Sequence, residues 1–305
     1  MENNDEWFID ILNGDFQNKY IMGNIIGRGS TSTIHSCLYK GKKKYACKII
    51  PKNKLKKLET QERIQILLRL NHENIVTVKE TYDDAFGVYI IEDLAHGGEL
   101  LERLASRGGY SERDAAKSIH DAVKALEYIH SMKIFHGNLR PEKLLYATED
   151  ENSPLQLTDI GVTTTSMSPY KILYCAPEVI ATSEAQLASD IWSLGIVLYI
   201  MLCGVEPFRN ADEMFPSPYW DDKTIAAKNL LACMMQKSPE KRPTARELLK
   251  DSWICCERTS EYSMTDAVHR LREFNARRKF KAATLAVRAT RRAIAMSHCH
   301  EEIRS

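Results

Sequence analysis

The side chains able to do chemistry in this chain fall into a few short stretches of fixed order. Gly27-Arg28-Gly29-Ser30-Thr31-Ser32-Thr33-Ile34 lies between two strand-like stretches, where a glycine hairpin lets backbone amides approach a polyphosphate. An ordinary hairpin fits the same residues. Tyr45-Ala46-Cys47-Lys48 follows, with Lys48 fourteen residues beyond Ile34, so an ammonium on the next strand is placed to reach the same phosphates. Downstream stand His136-Gly137-Asn138-Leu139-Arg140-Pro141-Glu142-Lys143, then Asp159-Ile160-Gly161, Ala176-Pro177-Glu178, Asp190-Ile191-Trp192-Ser193-Leu194-Gly195 and Lys241-Arg242-Pro243.

These residues need elements to hold them, and the chain's texture supplies candidates. Residues 20 to 50 alternate apolar and polar positions, with a strand over Lys43-Lys44-Tyr45-Ala46-Cys47-Lys48-Ile49-Ile50, which predicts a small antiparallel sheet. Leu58, Ile64, Leu67 and Leu68 recur at helical spacing between Leu55 and Leu70, and the strand pattern resumes from Phe86 to Asp93. After Gly97-Gly98 the helical period dominates. Ser111-Glu112-Arg113-Asp114 reads as a capped helix start, and Asp190 to Cys203 as an apolar helix closed by Gly204.

Composition narrows the function classes. The chain has 305 residues, 44% of them hydrophobic, enough for one large domain or two modest ones. Its 42 basic and 41 acidic residues leave a net charge of +1, so no overall field draws it to nucleic acid or a membrane surface. No apolar run approaches the roughly 20 residues that span a bilayer, and the start MENNDEWFID is acidic where a signal peptide is basic. Eight scattered cysteines without CxxC spacing read as reduced thiols, which suits a cytoplasmic or nuclear protein.

In order and spacing these motifs resemble those of protein kinases. Leu67-Leu68-Arg69-Leu70, Gly97-Gly98-Glu99-Leu100, Tyr110-Ser111-Glu112-Arg113-Asp114-Ala115-Ala116 and Phe274-Asn275-Ala276-Arg277-Arg278-Lys279 carry a narrower resemblance to the calcium/calmodulin-dependent protein kinases, above all the type IV kinase. The resemblance runs from Tyr20 to about Ala289 and implies an α+β, bilobal fold. A small antiparallel N-lobe sheet with one helix would precede a mainly helical C-lobe and a regulatory helix. The expected division is an N-terminal extension over 1–19, the N-lobe over 20–95, the C-lobe over 96–256, and an autoinhibitory and calmodulin-binding tail over 257–305. Nucleotide-binding positions implied by the resemblance are Ile26, Gly27, Gly29, Ser32, Ile34, Ala46, Lys48, Glu92, Asp93, Leu94, Glu99 and Leu145. Glu178 with Arg242, and Asp190, would hold the C-lobe together.

The chain also departs from the family's pattern. Asn138 stands where the resemblance places the catalytic Asp, and an amide cannot hold a proton near neutral pH. General-base help is typically worth about 10² to 10⁴ in rate. Arg140 keeps the basic position beside the transferring phosphate, but Lys143 replaces the Asn that would ligate Mg²⁺. Asp159 remains a possible metal ligand, so ATP and Mg²⁺ are doubtful cofactors. Counting back nine residues from His72 puts Arg63 at the helix position that should carry the glutamate partner of Lys48, with Glu62 turned by about 100°. Counting back five from Gly97 puts Glu92 at the gatekeeper behind the adenine site. Pairing of Glu92 with Lys48, with Lys143 beside Asp159, is one expectation; Glu92 reaching solvent from a locally decayed pocket is the other. Only 14 residues, 162 to 175, separate Gly161 from Ala176, and Lys171 replaces a threonine that lines the peptide site, so a truncated activation loop is expected. Residues 209 to 216 leave little room for a usual docking helix.

Between Arg270 and Arg292 nine basic residues face one acid, Glu273. Leu271 and Phe280 are nine apart, which on a helix places them on opposite faces about 13.5 Å apart along the axis. Such a segment suits a partner that wraps a basic helix in methionine-lined grooves, and the resemblance names Ca²⁺/calmodulin, with Leu271, Phe274, Arg277, Arg278, Lys279 and Phe280 as contacts. A nuclear-localisation or phospholipid patch, or a solvated helix, fits the charge alone. Two functional readings follow. One is a calmodulin-binding, catalytically impaired pseudokinase acting as a regulated scaffold for an unknown protein partner; the other is an active or weakly active Ser/Thr kinase. A monomer without nucleic-acid partners is expected.

Overall fold

The computed structural model describes residues 12–13, 16–29, 32–54, 64–160, 172–207 and 214–302. After a two-residue strand β1 (Leu12–Asn13), the alternation read over residues 20 to 50 becomes β2 (Tyr20–Arg28), β3 (Thr33–Tyr39) and β4 (Lys43–Pro51), followed by β5 (Val78–Asp83) and β6 (Gly87–Asp93). They form one sheet in the order β1-β5-β6-β4-β3-β2, antiparallel except for the parallel β1–β5 pair. The short helix α1 (Phe16–Lys19) leads into it, and Phe16 stacks on Tyr20 and Tyr89 over a cluster with Tyr82, Cys37 and Cys47. Residues expected to be an N-terminal extension thus contribute a strand and cover one face of the sheet. The lobe's helix, α2, is described over 64–69, with Ile64 and Leu67 buried. Arg63 and Glu62, Lys171 and most of the expected activation loop, and residues 208–213 before the shortened docking region lie outside the described residues.

The C-lobe is built from α3 (Leu100–Ser106), α4 (Glu112–Ser131), the β7 (Leu144–Tyr146) and β8 (Leu155–Leu157) ladder, α5 (Pro177–Thr182), α6 (Leu187–Cys203), α7 (Ile225–Met234), α8 (Ala245–Leu248) and α9 (Thr265–Glu302). Ser111 caps α4 as its residue type predicts, accepting from the Asp114 amide while the Asp114 carboxylate accepts from the Ser111 amide. Its apolar stripe packs on α6, which is apolar almost all round because it runs through the middle of the lobe. Gly204 closes α6 at φ +79°, and a Cβ there would lie 2.6 Å from the Ala267 carbonyl and from Arg270 Cβ. Only glycine allows the chain both to turn at that point and to let α9 come this close.

The buried core continues past Trp253: Ile254, Met264, Ala267, Val268, Leu271 and Phe274 are all buried, and α9 packs against α3 and α6. The first turns of α9 therefore belong to the C-lobe core. Among the described residues, no helix is long and apolar enough to cross a membrane.

Candidate functional site

Asp190, buried in the first turn of α6, fixes the loop that follows α4. Its carboxylate accepts from the amides of His136 (2.7 Å) and Gly137 (2.9 Å) and lies 3.0 Å from His130 Nε2. His136 is fully buried, with Nε2 3.0 Å from the Thr158 carbonyl, and burial pushes its pKa down, which keeps the imidazole neutral. The loop then runs through Asn138, whose amide meets His136 Nδ1 at 3.3 Å, to the one-turn helix Pro141–Lys143. The ladder pairs Leu144 with Leu157, and the Thr158 amide donates to the Lys143 carbonyl at 3.1 Å. Lys143 and Asp159, sixteen residues apart, are brought side by side by that two-stranded ladder.

Asp159 adopts φ +61°, a left-handed conformation that short polar residues tolerate best. Its two oxygens are taken by two ammoniums, Oδ1 by Lys48 and Oδ2 by Lys143. All three side chains are largely buried. Burial alone would raise the Asp159 pKa, but Lys143 and Lys48 together hold it well below the usual carboxylate range.

The sheet register leaves Lys48 and Glu92 on one face, as the expected pairing requires, yet the two do not pair. Lys48 lies opposite Ile90 and Ala46 opposite Glu92, so both side chains leave the same face of the sheet on a diagonal. The lysine stem instead extends to Asp159, which offers a full charge and a lone pair in line, and Glu92 forms no hydrogen bond among the described residues. Nor does Glu92 reach solvent: it is 9% exposed, beside a cavity of about 10 Å³ shared with Lys48, Leu67, Ile75 and Ile160. Burial, followed by the nearby Asp159, raises its pKa to about 7.

The remaining expected nucleotide positions are spread over five elements. Ile26 and Gly27 sit on β2, with Gly27 opposite Ile34 of β3; Ala46 is on β4; Glu92 and Asp93 end β6; Leu94 follows; Leu145 is on β7 and bridges to Glu99. Gly29 donates its amide to the Ser32 carbonyl at 2.8 Å, closing the glycine hairpin. Asp93 pairs with Lys79 at 2.9 Å. Glu99 does not present a free carboxylate: Arg278 Nη2, from α9, donates to both of its oxygens, at 2.6 and 2.5 Å. Burial raises the Glu99 pKa to about 7 against the pull of Arg278. The sequence contained no local signal for this contact, which joins residues 179 positions apart; only the packing of α9 produces it.

The donor set does not fit Mg²⁺. A hard divalent cation seeks several oxygen ligands, but both Asp159 oxygens carry ammoniums and Lys143 supplies charge of the wrong sign. Two unit charges at 4 Å and an effective dielectric of 20 interact by about 4 kcal/mol, so each neighbouring lysine would oppose a divalent ion by about twice that. Among the described residues no cluster of three His, Cys, Asp or Glu could hold a metal.

The expected calmodulin contacts divide by helix face. Leu271 and Phe274 are buried in the C-lobe and Arg278 is buried against Glu99, while Phe280 is 75% exposed and Arg277 and Lys279 are exposed, Lys279 pairing with Glu102 at 2.9 Å. Leu271 and Phe280 therefore do lie on opposite faces. The C-lobe scaffold positions are fully engaged: Arg242 donates to both Glu178 oxygens at 2.7 Å and to the Ala188 carbonyl at 2.9 Å, with its guanidinium 5.1 Å from the Trp192 ring.

Residues 20–254 match the description of a protein kinase domain. The chain is 36% identical to calcium/calmodulin-dependent protein kinase type IV of Homo sapiens, over 98% of this chain and 67% of that protein. To the type IV kinase of Rattus norvegicus it is 37% identical, over 91% and 63% of the two chains. To calcium/calmodulin-dependent protein kinase type 1 of Macrobrachium nipponense it is 34% identical, over 78% and 75%. The chain spans about two-thirds of the length of the type IV relatives.

Proposed function

The chain belongs to the protein kinase family, and from that premise we propose that it is a calmodulin-binding member whose phosphotransfer chemistry is impaired and whose C-terminal helix governs its surface. The observation that carries this reading is the carboxylate of Asp159 held between Lys48 and Lys143, with Asn138 at the head of the same loop. Asn138 offers no general base. The ammonium of Lys143 sits on the oxygen where the family's chemistry needs a metal. The C-lobe around it retains its anchors, so the reading is of a kept scaffold with altered chemistry.

The tail supplies the regulation. Its docked face, Leu271, Phe274, Asn275 and Arg278, is spent on the C-lobe, and Asn275 Nδ2 donates to the Leu101 carbonyl at 2.8 Å. Its outer face, with Phe280, Arg277 and Lys279, is open to a first contact. Calmodulin that wraps both faces has to lift the helix, which frees Glu99 and the face of α3 that α9 covers for a protein partner. The relatives carry the calmodulin dependence in their names. Such a protein would act in the cytoplasm or nucleus as a monomer.

The second reading, an active Ser/Thr kinase, draws on Lys48, Asp159 and Arg140, all retained, because positioning and electrostatics supply much of phosphoryl transfer. One experiment separates the two. Transfer of labelled γ-phosphate to a basic Ser/Thr peptide and to the protein itself is measured with calcium and calmodulin, beside a Lys48→Ala control, and calmodulin binding is followed by calorimetry. The proposal expects saturable, calcium-dependent calmodulin binding with transfer at the level of the control. Transfer above the control supports the active kinase; absence of calmodulin binding overturns the regulatory half.

A further inference from the structure

The misfit with Mg²⁺ leaves a question of charge. Two ammoniums share a single carboxylate, so the buried cluster of Lys48, Asp159 and Lys143 carries one positive charge that Asp159 does not neutralise. Glu92 is near enough to be felt electrostatically but bonds to neither lysine. An ammonium has three donors, and among the described residues each lysine commits one, to Asp159. The Lys143 side chain remains 14% exposed and that of Lys48 5%, so the cluster is largely shielded from solvent and Lys143 is its more accessible ammonium. An incoming cation must displace two lysines from the oxygens it needs; an incoming anion competes for neither Asp159 oxygen and can accept from both ammoniums.

We infer that this cluster binds the polyphosphate of a nucleotide without a divalent metal, Lys143 Nζ serving as a built-in cation. The inference rests on the kinase-family reading of the cleft and names the ligand state that reading leaves open. Phosphate oxygens would accept from Lys143 and Lys48 while Asp159 keeps both ammoniums from drifting into solvent. Metal would then be neutral or harmful to binding, since Mg²⁺ on the nucleotide neutralises the charge that the lysines recognise. The same lysines could take inorganic tripolyphosphate, so the test carries both ligands.

The full chain is titrated with a fluorescent ATP analogue, then with ATP and with tripolyphosphate as competitors, each in EDTA and in excess Mg²⁺. Lys143→Asn and Lys143→Arg are run beside it, with thermal midpoints of the ligand-free proteins confirming that each is folded. The wild type is expected to bind in EDTA at least as tightly as in Mg²⁺. Lys143→Arg is expected to keep that behaviour, and Lys143→Asn to lose about tenfold or more in EDTA and recover with Mg²⁺. Stronger competition by ATP than by tripolyphosphate identifies the nucleotide; equal competition overturns the nucleotide half. A wild type that loses tenfold on metal removal, or that binds in neither condition, overturns the inference while leaving the proposal of impaired transfer standing. Transfer above the Lys48→Ala control overturns that proposal and leaves the outcome of this titration unchanged.

Discussion

The C-lobe anchor holds two largely buried charges and the cleft four, and the two sites arrange them in opposite ways. At the anchor, one guanidinium meets one carboxylate through two parallel bonds, with backbone carbonyls taking further donors, so the charges are matched and directed. In the cleft, two ammoniums share one carboxylate while a second carboxylate, Glu92, stays buried without a hydrogen bond among the described residues. The first arrangement resists change because removing either partner strands a charge. The second has slack: its charges can be rearranged, protonated or met by a ligand. Within one fold, then, the brace is built from matched charges and the site from unmatched ones.

Arg242→Ala leaves Glu178 without its partner and is expected to cost about 3 to 5 kcal/mol in urea unfolding. A loss below 1 kcal/mol would mean that the anchor is no brace. Next in size stands the docked face of α9. Leu271→Ala removes a fully buried side chain and is expected to cost about 2 to 5 kcal/mol, with earlier protease cleavage in the helix.

The cleft is tested by pH. Glu92 titrates at about 7 when folded against an ordinary value of 4.5, so across that window the folded state holds a proton the unfolded chain has released. Its contribution is present below the unfolded value and is lost as pH rises through the folded one, by about 3 kcal/mol at most. Glu92→Gln is expected to flatten this decline between pH 5 and 8, leaving the part contributed by Glu99, which burial raises in the same direction. An unchanged slope in the unfolding curves would show that Glu92 is solvated after all. The smallest effect belongs to the outer face of α9, where Phe280→Ala is expected to change stability by no more than about 0.5 kcal/mol while weakening calmodulin binding.

How far the sequence could be read follows from the range of each interaction. The strands around Lys48 and the capped start of α4 were legible because period, glycine and capping chemistry act within a few residues. Lys143 beside Asp159 was legible once the motif order was recognised, since both flank one short ladder. The partner of Lys48 was not, because two carboxylates lie within its reach and only the position of Asp159 past β8 decides between them. The docking of α9 was hidden for a similar reason. Leu271 and Phe274 read equally as anchors for a partner and as core, and what selects the core is Gly204, whose missing side chain lets the helix close on α6.

Whether the residues at 138 and 143, and not the fold, limit phosphotransfer is decided by measuring γ-phosphate transfer for the wild type, the Lys48→Ala control and the double variant Asn138→Asp, Lys143→Asn, each with calcium and calmodulin. Restoring a carboxylate and a metal ligand is expected to raise transfer by about 10² or more over a wild type that matches the control. Wild-type transfer well above the control, unchanged by the double substitution, would show that neither residue limits it.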